Sequence, residues 1–131
     1  MTKSNPSAAE TVAVDLGARS YEVRIGGGLI ARAGAEIAPL LHRRRVAVLT
    51  DATVAATHLE ALRAWLGDIA MTALALPAGE ATKGWAEFSR AVDWLLAEKI
   101  ERRDLVIAFG GGVIGDLAGF AAAVLRRGVR F

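Results

Sequence analysis

The stretch LVIAFGGGVIGD, residues 105–116, decides the fold. Its first five residues form a continuous apolar run, which is typical of a strand buried on both faces of a parallel sheet. The next residues carry the GxGxxG spacing of a dinucleotide-binding turn, from Gly110 to Gly115, and an Ala-rich helix is predicted from there to Arg127, with Gly128 as its cap. Glycines let the backbone approach a diphosphate, whose charge the free amides of the helix N-terminus can hold. The stretch therefore predicts a phosphate-binding strand, turn and helix; the alternative is a turn that serves packing alone.

Strand and helix patterns alternate upstream of this stretch. Apolar runs predict strands at residues 46–49 and 69–76, and helical spacing predicts helices at 30–41, 54–66 and from Trp85 onwards. Strict alternation at 12–16 and 21–25 predicts a β-hairpin in front of them. The order predicts an α/β fold, with a Rossmann-like, mainly parallel sheet, flanking helices and an N-terminal β-hairpin. We interpret residues 1–10 as a flexible N-terminal tail and residues 11–131 as one domain.

Composition excludes several classes of protein. The 131 residues are 53% hydrophobic and 23% charged with a formal net charge of +2, which is unlike a disordered chain or a nucleic-acid-binding surface. No apolar run approaches a membrane span, and no secretory signal opens the chain, so a cytoplasmic protein with no membrane partner is expected. There is no cysteine, and the two histidines, His42 and His58, stand apart from acidic clusters, so no metal site is expected within this chain.

Two further polar groups follow predicted strands. Asp51 comes directly after the strand at 46–49, and the loop from Gly79 to Lys83 follows the strand at 69–76. Because the carboxyl ends of parallel strands share one edge of a sheet, we expect both groups to lie beside Gly112. Asp51 could accept ribose hydroxyls there, or it could serve only as the N-cap of the next helix. The basic residues 43–45 are interpreted as a solvated helix end that faces the negative pole of the helix dipole.

The residues quoted so far resemble a known family. Residues 110–122 followed by Arg127-Gly128 look like the signature segment of the 3-dehydroquinate synthases. The segments Gly17-Ala18-Arg19-Ser20-Tyr21, Thr50-Asp51-x-x-Val54 and Gly79-Glu80-x-x-Lys83 reinforce the resemblance, which extends over residues 11–131. It implies an NAD-dependent lyase of the shikimate pathway of aromatic amino-acid biosynthesis, which converts 3-deoxy-D-arabino-heptulosonate 7-phosphate into 3-dehydroquinate and phosphate.

The resemblance also implies roles for particular residues. Residues 11–131 correspond to the NAD-binding domain, and the positions that contact NAD are Asp51, Gly79, Glu80, Lys83, Gly111, Gly112, Val113, Ile114, Gly115 and Asp116. Arg127 corresponds to an arginine that reaches the phosphate of the sugar-phosphate substrate in the neighbouring subunit of a homodimer. The family's second, helical domain, which holds a divalent metal (zinc or cobalt) and most substrate-binding residues, has no counterpart here. We therefore expect an N-terminal fragment that has no catalytic residue of its own and is inactive alone.

Other functions remain open at this point. The same nucleotide domain would suit a related sugar-phosphate cyclase or a metal-dependent polyol dehydrogenase, because the residues that discriminate between them lie outside this chain. A non-catalytic nucleotide-binding module is a third alternative.

Overall fold

A computed structural model describes residues 9–131 of the chain. Residues 1–8 of the predicted N-terminal tail lie outside the described residues. Glu10, the last residue of the predicted tail, already belongs to the first strand. The strands are β1 (Glu10–Val14), β2 (Tyr21–Ile25), β3 (Arg45–Asp51), β4 (Ala70–Leu76) and β5 (Leu105–Phe109), and the α-helices are α1 (Ala33–Ile37), α2 (Ala52–Leu66), α3 (Trp85–Ala97) and α4 (Gly112–Val124). The predicted order of strands and helices is confirmed.

The three central strands form one parallel sheet in the order β4-β3-β5. Asp51 at the end of β3 is level with Leu76 at the end of β4, and Thr50 is level with Phe109 at the end of β5. A single parallel bridge between Leu105 and Arg130 continues the sheet beyond β5. The predicted α/β fold with a parallel sheet is confirmed, and all three strands end at the same edge.

Successive residues of β3 point to opposite faces of the sheet, which gives two cores. Val46 and Val48 pack with Leu62 and Leu66 of α2, together with residues of α1. Ala47 and Leu49 pack on the other face with residues of α3 and α4, among them Leu95 and Ile114. Because β3 is covered on both faces, the four residues at its centre, Val46 to Leu49, are all apolar, as expected for a central parallel strand.

The β1–β2 hairpin is separate from the parallel sheet. The two strands pair antiparallel from Glu10 with Ile25 to Val14 with Tyr21, as predicted. An ion pair from Arg24 to Glu36 connects the hairpin to α1. Within residues 9–131, no helix combines the length and apolar character that crossing a membrane requires.

The prediction for the basic residues 43–45 was wrong. They do not end a helix, because the helical segment stops at Leu40, after a 3-10 turn that contains Pro39. Arg43 instead forms an ion pair with Asp104, while Arg44 pairs with Asp68 and Arg45 with Glu98. The three arginines therefore tie the amino-terminal edge of the sheet to distant loops.

Two helix boundaries also differ from prediction. The helix expected over residues 30–41 consists of the five-residue helix α1 between two 3-10 turns. Helix α4 ends at Val124 rather than Arg127, because the backbone of Leu125 is extended and Arg126 and Arg127 both have a positive φ. Left-handed conformation costs a residue with a side chain about 1–2 kcal/mol and stops the α-helix there.

Candidate functional site

The carboxyl edge of the parallel sheet brings the predicted site residues together. Asp51 ends β3, the Gly79–Lys83 loop follows β4, and the glycine turn follows β5. A hydrogen bond from the Thr50 hydroxyl to the Phe109 carbonyl, 2.6 Å long, joins the ends of β3 and β5. Thr50 is fully buried; the sequence showed it only as part of the Thr50-Asp51-x-x-Val54 segment and gave it no role at the site.

The glycine turn leads directly into α4. The first helical hydrogen bond runs from the Gly115 amide to the Gly111 carbonyl, at 3.0 Å. The amides of Gly112, Val113 and Ile114 precede that bond, and the first amides of a helix have no acceptor within the helix. Together with the positive pole of the helix dipole they form a place where an oxyanion can bind.

Space is available at this turn on the side away from the sheet. Apart from the neighbouring residues and the backbone of α4 itself, a Cβ atom on Gly111, Gly112 or Gly115 would meet no heavy atom of the described residues within 4 Å. A Cβ on Gly110 would lie only 3.1 Å from the Ile114 side chain, so that glycine is explained by packing of the helix on the strand. Among the described residues, no side chain occupies the position of a Cβ at Gly111 or Gly112, and a ligand could approach their backbone there.

Asp51 has one carboxylate oxygen engaged locally. Its Oδ1 accepts a hydrogen bond of 2.8 Å from the Val54 amide, which makes Asp51 the N-cap of α2. The capping alternative from the sequence is therefore correct. Capping does not occupy the whole side chain, because a carboxylate has two oxygens and several acceptor positions.

The loop after β4 is held against the sheet by a buried threonine. Gly79 has a φ of 106°, which side chains rarely tolerate, and it opens a 3-10 turn over Glu80–Thr82. The Thr82 hydroxyl donates to the Pro77 carbonyl, and Thr82 is 1% exposed. This internal bond fixes the loop and presents Glu80 and Lys83 at its outer side.

Lys83 and Asp116 form an ion pair across the edge. The Lys83 Nζ lies 2.9 Å from the Asp116 Oδ2 and 3.9 Å from the Glu80 Oε2. The hydrogen bond to Asp116 and the charges of Asp116 and Glu80 raise the pKa of Lys83 above its ordinary value, so the ammonium stays charged. The pair connects the loop after β4 to the first turns of α4, which the sequence alone did not indicate.

An aromatic surface lies next to this ion pair. Trp85, Phe88 and Phe120 line a cavity of about 250 Å³ that Lys83 and Asp116 border. The ring centroids of Phe88 and Phe120 are 4.7 Å apart. Trp85, the first residue of α3, is 76% exposed.

Arg127 lies away from the glycine turn, at the far end of α4. It is exposed, has a φ of 63°, and forms no ion pair within residues 9–131. The adjacent Arg126 donates from Nε to the Ile100 carbonyl at 2.8 Å. His42 and His58 are both exposed, and among the described residues no three potential metal ligands come together.

Fold and edge together define the class of protein. In its arrangement of strands and helices the chain is similar to 2-deoxy-scyllo-inosose synthase, solved with carbaglucose-6-phosphate, NAD⁺ and Co²⁺, with a TM-score of 0.78 and 22% identity over 92% of this chain and 33% of that one. It is also similar to 2-epi-5-epi-valiolone synthase from Streptomyces hygroscopicus, solved with NAD⁺ and Zn²⁺, with a TM-score of 0.61 and 33% identity over 65% of this chain and 24% of that one. The fold is the Rossmann-like fold of the sugar-phosphate cyclases.

Sequence similarity then points to one family. Residues 73–131 match the family model described as 3-dehydroquinate synthase N-terminal. The chain is 75% identical over 124 residues to the 3-dehydroquinate synthase of Ruegeria pomeroyi and 73% identical to that of Cereibacter sphaeroides, covering 93% of this chain and 34% of each relative. The resemblance drawn from the glycine segment is confirmed: the chain matches the N-terminal domain of the 3-dehydroquinate synthases. It spans about a third of the length of these relatives.

Proposed function

We propose that this chain is the NAD-binding part of a 3-dehydroquinate synthase, which converts 3-deoxy-D-arabino-heptulosonate 7-phosphate into 3-dehydroquinate and phosphate. The observation that carries the proposal is the glycine turn. It combines free helix amides with open space at the carboxyl edge of a parallel sheet, in a chain 75% identical to such an enzyme. The activity belongs to the whole enzyme, of which this domain supplies the nucleotide half.

The residues at the edge fit the chemistry of NAD. Gly111 and Gly112 leave room for a diphosphate beside the first amides of α4. The Asp51 oxygen that does not cap α2 is suited to accept hydrogen bonds from ribose hydroxyls. When bound, NAD supplies a reversible hydride acceptor for a substrate hydroxyl.

Charged residues around the turn complete the proposed cofactor site. Lys83 offsets part of the negative charge of a diphosphate, and Asp116 fixes the position of Lys83 through their 2.9 Å contact. Glu80 is the second carboxylate near Lys83 and, like Asp51, can accept hydroxyl hydrogen bonds. We assign cofactor binding to Asp51, Gly79, Glu80, Lys83, Gly111, Gly112, Val113, Ile114, Gly115 and Asp116.

Arg127 is assigned to the substrate rather than to the cofactor. Its guanidinium is exposed, and a planar fork of N–H donors can hold two phosphate oxygens at once. Its position at the opposite end of α4 from the glycine turn suits a phosphate bound in the site of a neighbouring subunit, as expected for a homodimer. The described residues do not provide a divalent-metal site, so no step through a metal is derived for this chain.

A chimeric enzyme tests the proposal. Residues 1–131 replace the corresponding third of the Ruegeria pomeroyi enzyme, and phosphate release from 3-deoxy-D-arabino-heptulosonate 7-phosphate is measured with NAD and zinc. We expect turnover within about tenfold of the parent enzyme, a difference of about 1.4 kcal/mol. Asp116→Ala and Arg127→Ala in the chimera should each lower it further, whereas the isolated chain should release no phosphate.

The controls decide between this function and its alternatives. Glu60→Ala, an exposed residue of α2, should leave turnover of the chimera unchanged. A folded, dimeric chimera without turnover on this substrate would contradict the proposed function. Turnover that Asp116→Ala and Arg127→Ala leave intact would contradict the residue assignments.

A further inference from the structure

A second cluster of cations lies at the amino-terminal edge of the sheet, opposite the proposed cofactor site. Arg103 and Arg130 line a surface cavity of about 430 Å³ together with His42 and the apolar residues Pro39, Leu40 and Leu41. The parallel bridge from Arg130 to Leu105 puts this cavity beside the first residue of β5, whereas the glycine turn follows its last.

The two arginines at the cavity have no carboxylate partner among residues 9–131. Arg43, Arg44 and Arg45, at the same edge, pair with Asp104, Asp68 and Glu98. Neither Arg103 nor Arg130 forms an ion pair within residues 9–131. The carboxylate next in sequence, Asp104, is buried and already accepts two hydrogen bonds from Arg43 and one from the Glu101 amide.

The position of Arg130 is fixed by the fold. Its carbonyl accepts the Val106 amide at 2.8 Å, and its Nη2 donates to the Arg103 carbonyl at 2.7 Å. The Arg130 guanidinium is therefore held at the backbone of Arg103, and its other N–H groups stay available as donors. Because the Arg130 side chain is partly ordered before binding, less conformational entropy is lost when a ligand binds.

We propose that this cavity binds a small organic phosphate. Two arginine side chains that line one cavity suit a phosphate dianion because a guanidinium can donate parallel hydrogen bonds to phosphate oxygens. The wall formed by residues 39–41, of which Leu40 is 51% exposed, suits the apolar part of such a ligand. This site is independent of the proposed cofactor site and of Arg127.

Titration of the ¹⁵N-labelled chain with phenyl phosphate tests the proposal at low ionic strength. Saturable chemical-shift changes are expected at His42, Arg103 and Arg130, and phenyl phosphate should bind more tightly than inorganic phosphate because only the former contacts residues 39–41. Arg103→Gln should weaken binding about tenfold, since a hydrogen bond to a charged group is lost. The Arg103 side chain makes no hydrogen bond in the part of the chain that the structure describes, so this variant keeps the fold.

Arg90→Gln provides the matched control, because Arg90 is an exposed arginine that pairs with Glu87 on α3. It should bind phenyl phosphate like the unchanged chain. The proposal is overturned if shifts do not saturate, if both variants bind equally, or if the shifts are confined to residues 111–114. The last outcome would place the phosphate at the glycine turn and leave the proposed function standing.

Discussion

Among the carboxylates that form ion pairs, we expect the buried Asp104 to contribute most to stability. Its side chain is 1% exposed, and it accepts hydrogen bonds from Arg43 Nε at 2.7 Å, Arg43 Nη2 at 2.5 Å and the Glu101 amide at 2.8 Å. Burial alone would raise its pKa, but the Arg43 hydrogen bonds, the Glu101 amide and the charges of Arg43 and Arg45 outweigh burial and lower it. The carboxylate is thus more stable charged in the folded protein than in the unfolded chain.

The substitution Asp104→Asn keeps the shape of the side chain and removes its charge. An amide can still accept the Glu101 bond, but it presents an NH₂ group to one of the two Arg43 donors. The Arg43 side chain is 38% exposed, so its free donors can hydrogen-bond to water. The loss of stability is therefore smaller than for an arginine that stays buried without a partner. We expect the free energy of unfolding to fall by about 2–3 kcal/mol, from hydrogen bonds to charged groups at a buried site.

Urea denaturation of Asp104→Asn and of the control variant Asp68→Asn checks this reasoning. A loss of 2–3 kcal/mol corresponds to a decrease of roughly 1–2 M in the urea midpoint for a chain of this size. Asp68→Asn is the matched control: its pair with Arg44 has the same chemistry, but the Asp68 side chain is 80% exposed and should contribute little. Equal midpoints for the two variants would refute the argument that burial makes the difference.

Three further predictions concern stability. The contribution of Asp104 is present above its unfolded pKa, near 3.9, and is lost as the pH falls through its lower folded pKa, so the deficit of Asp104→Asn should shrink below about pH 4 in a pH series of unfolding curves; a constant deficit would contradict the shift. Lys99→Gly should stabilise the chain by about 1 kcal/mol in thermal or urea unfolding, because Lys99, two residues beyond the end of α3, has a φ of 57°; a loss of stability would contradict this. Gly34→Ala should cost about 1–2 kcal/mol despite the better helix propensity of alanine, because its Cβ would lie 2.6 Å from the Trp65 carbonyl oxygen; unchanged unfolding would show that α1 shifts freely.

The fold could be predicted where the pattern is local. The apolar run of β5 was predicted with its observed bounds, and the hairpin and α2 were predicted to within a few residues, because their periodicity is set by the faces they bury. The segment around Pro39 was predicted as one helix and is broken, since the side-chain pattern does not register a proline that removes a backbone donor.

Contacts between distant residues could not be predicted. The role of Arg43 depends on Asp104, which is 61 residues away, and no local pattern indicates that pairing. The same holds at the candidate site, where Lys83 ends the loop after β4, Asp116 lies on α4, and the two meet only because parallel strands end at one edge. The sequence indicated which edge holds the polar groups, and the pairing between them required the structure.

Chemical-shift mapping of NAD on the ¹⁵N-labelled chain tests the central claim most directly. The titration uses millimolar NAD, which detects a binding free energy as small as about 4 kcal/mol. We predict saturable chemical-shift changes at Asp51 and in residues 79–83 and 111–116. Gly112→Val should weaken this binding at least about tenfold without unfolding the chain, because Gly112 has ordinary φ and its Cβ would occupy the open space in front of the turn. Gly27→Val, at an equally open glycine remote from the edge, should bind like the unchanged chain. Absence of saturable shifts at this edge, or shifts that persist in a folded Gly112→Val variant, would contradict the account.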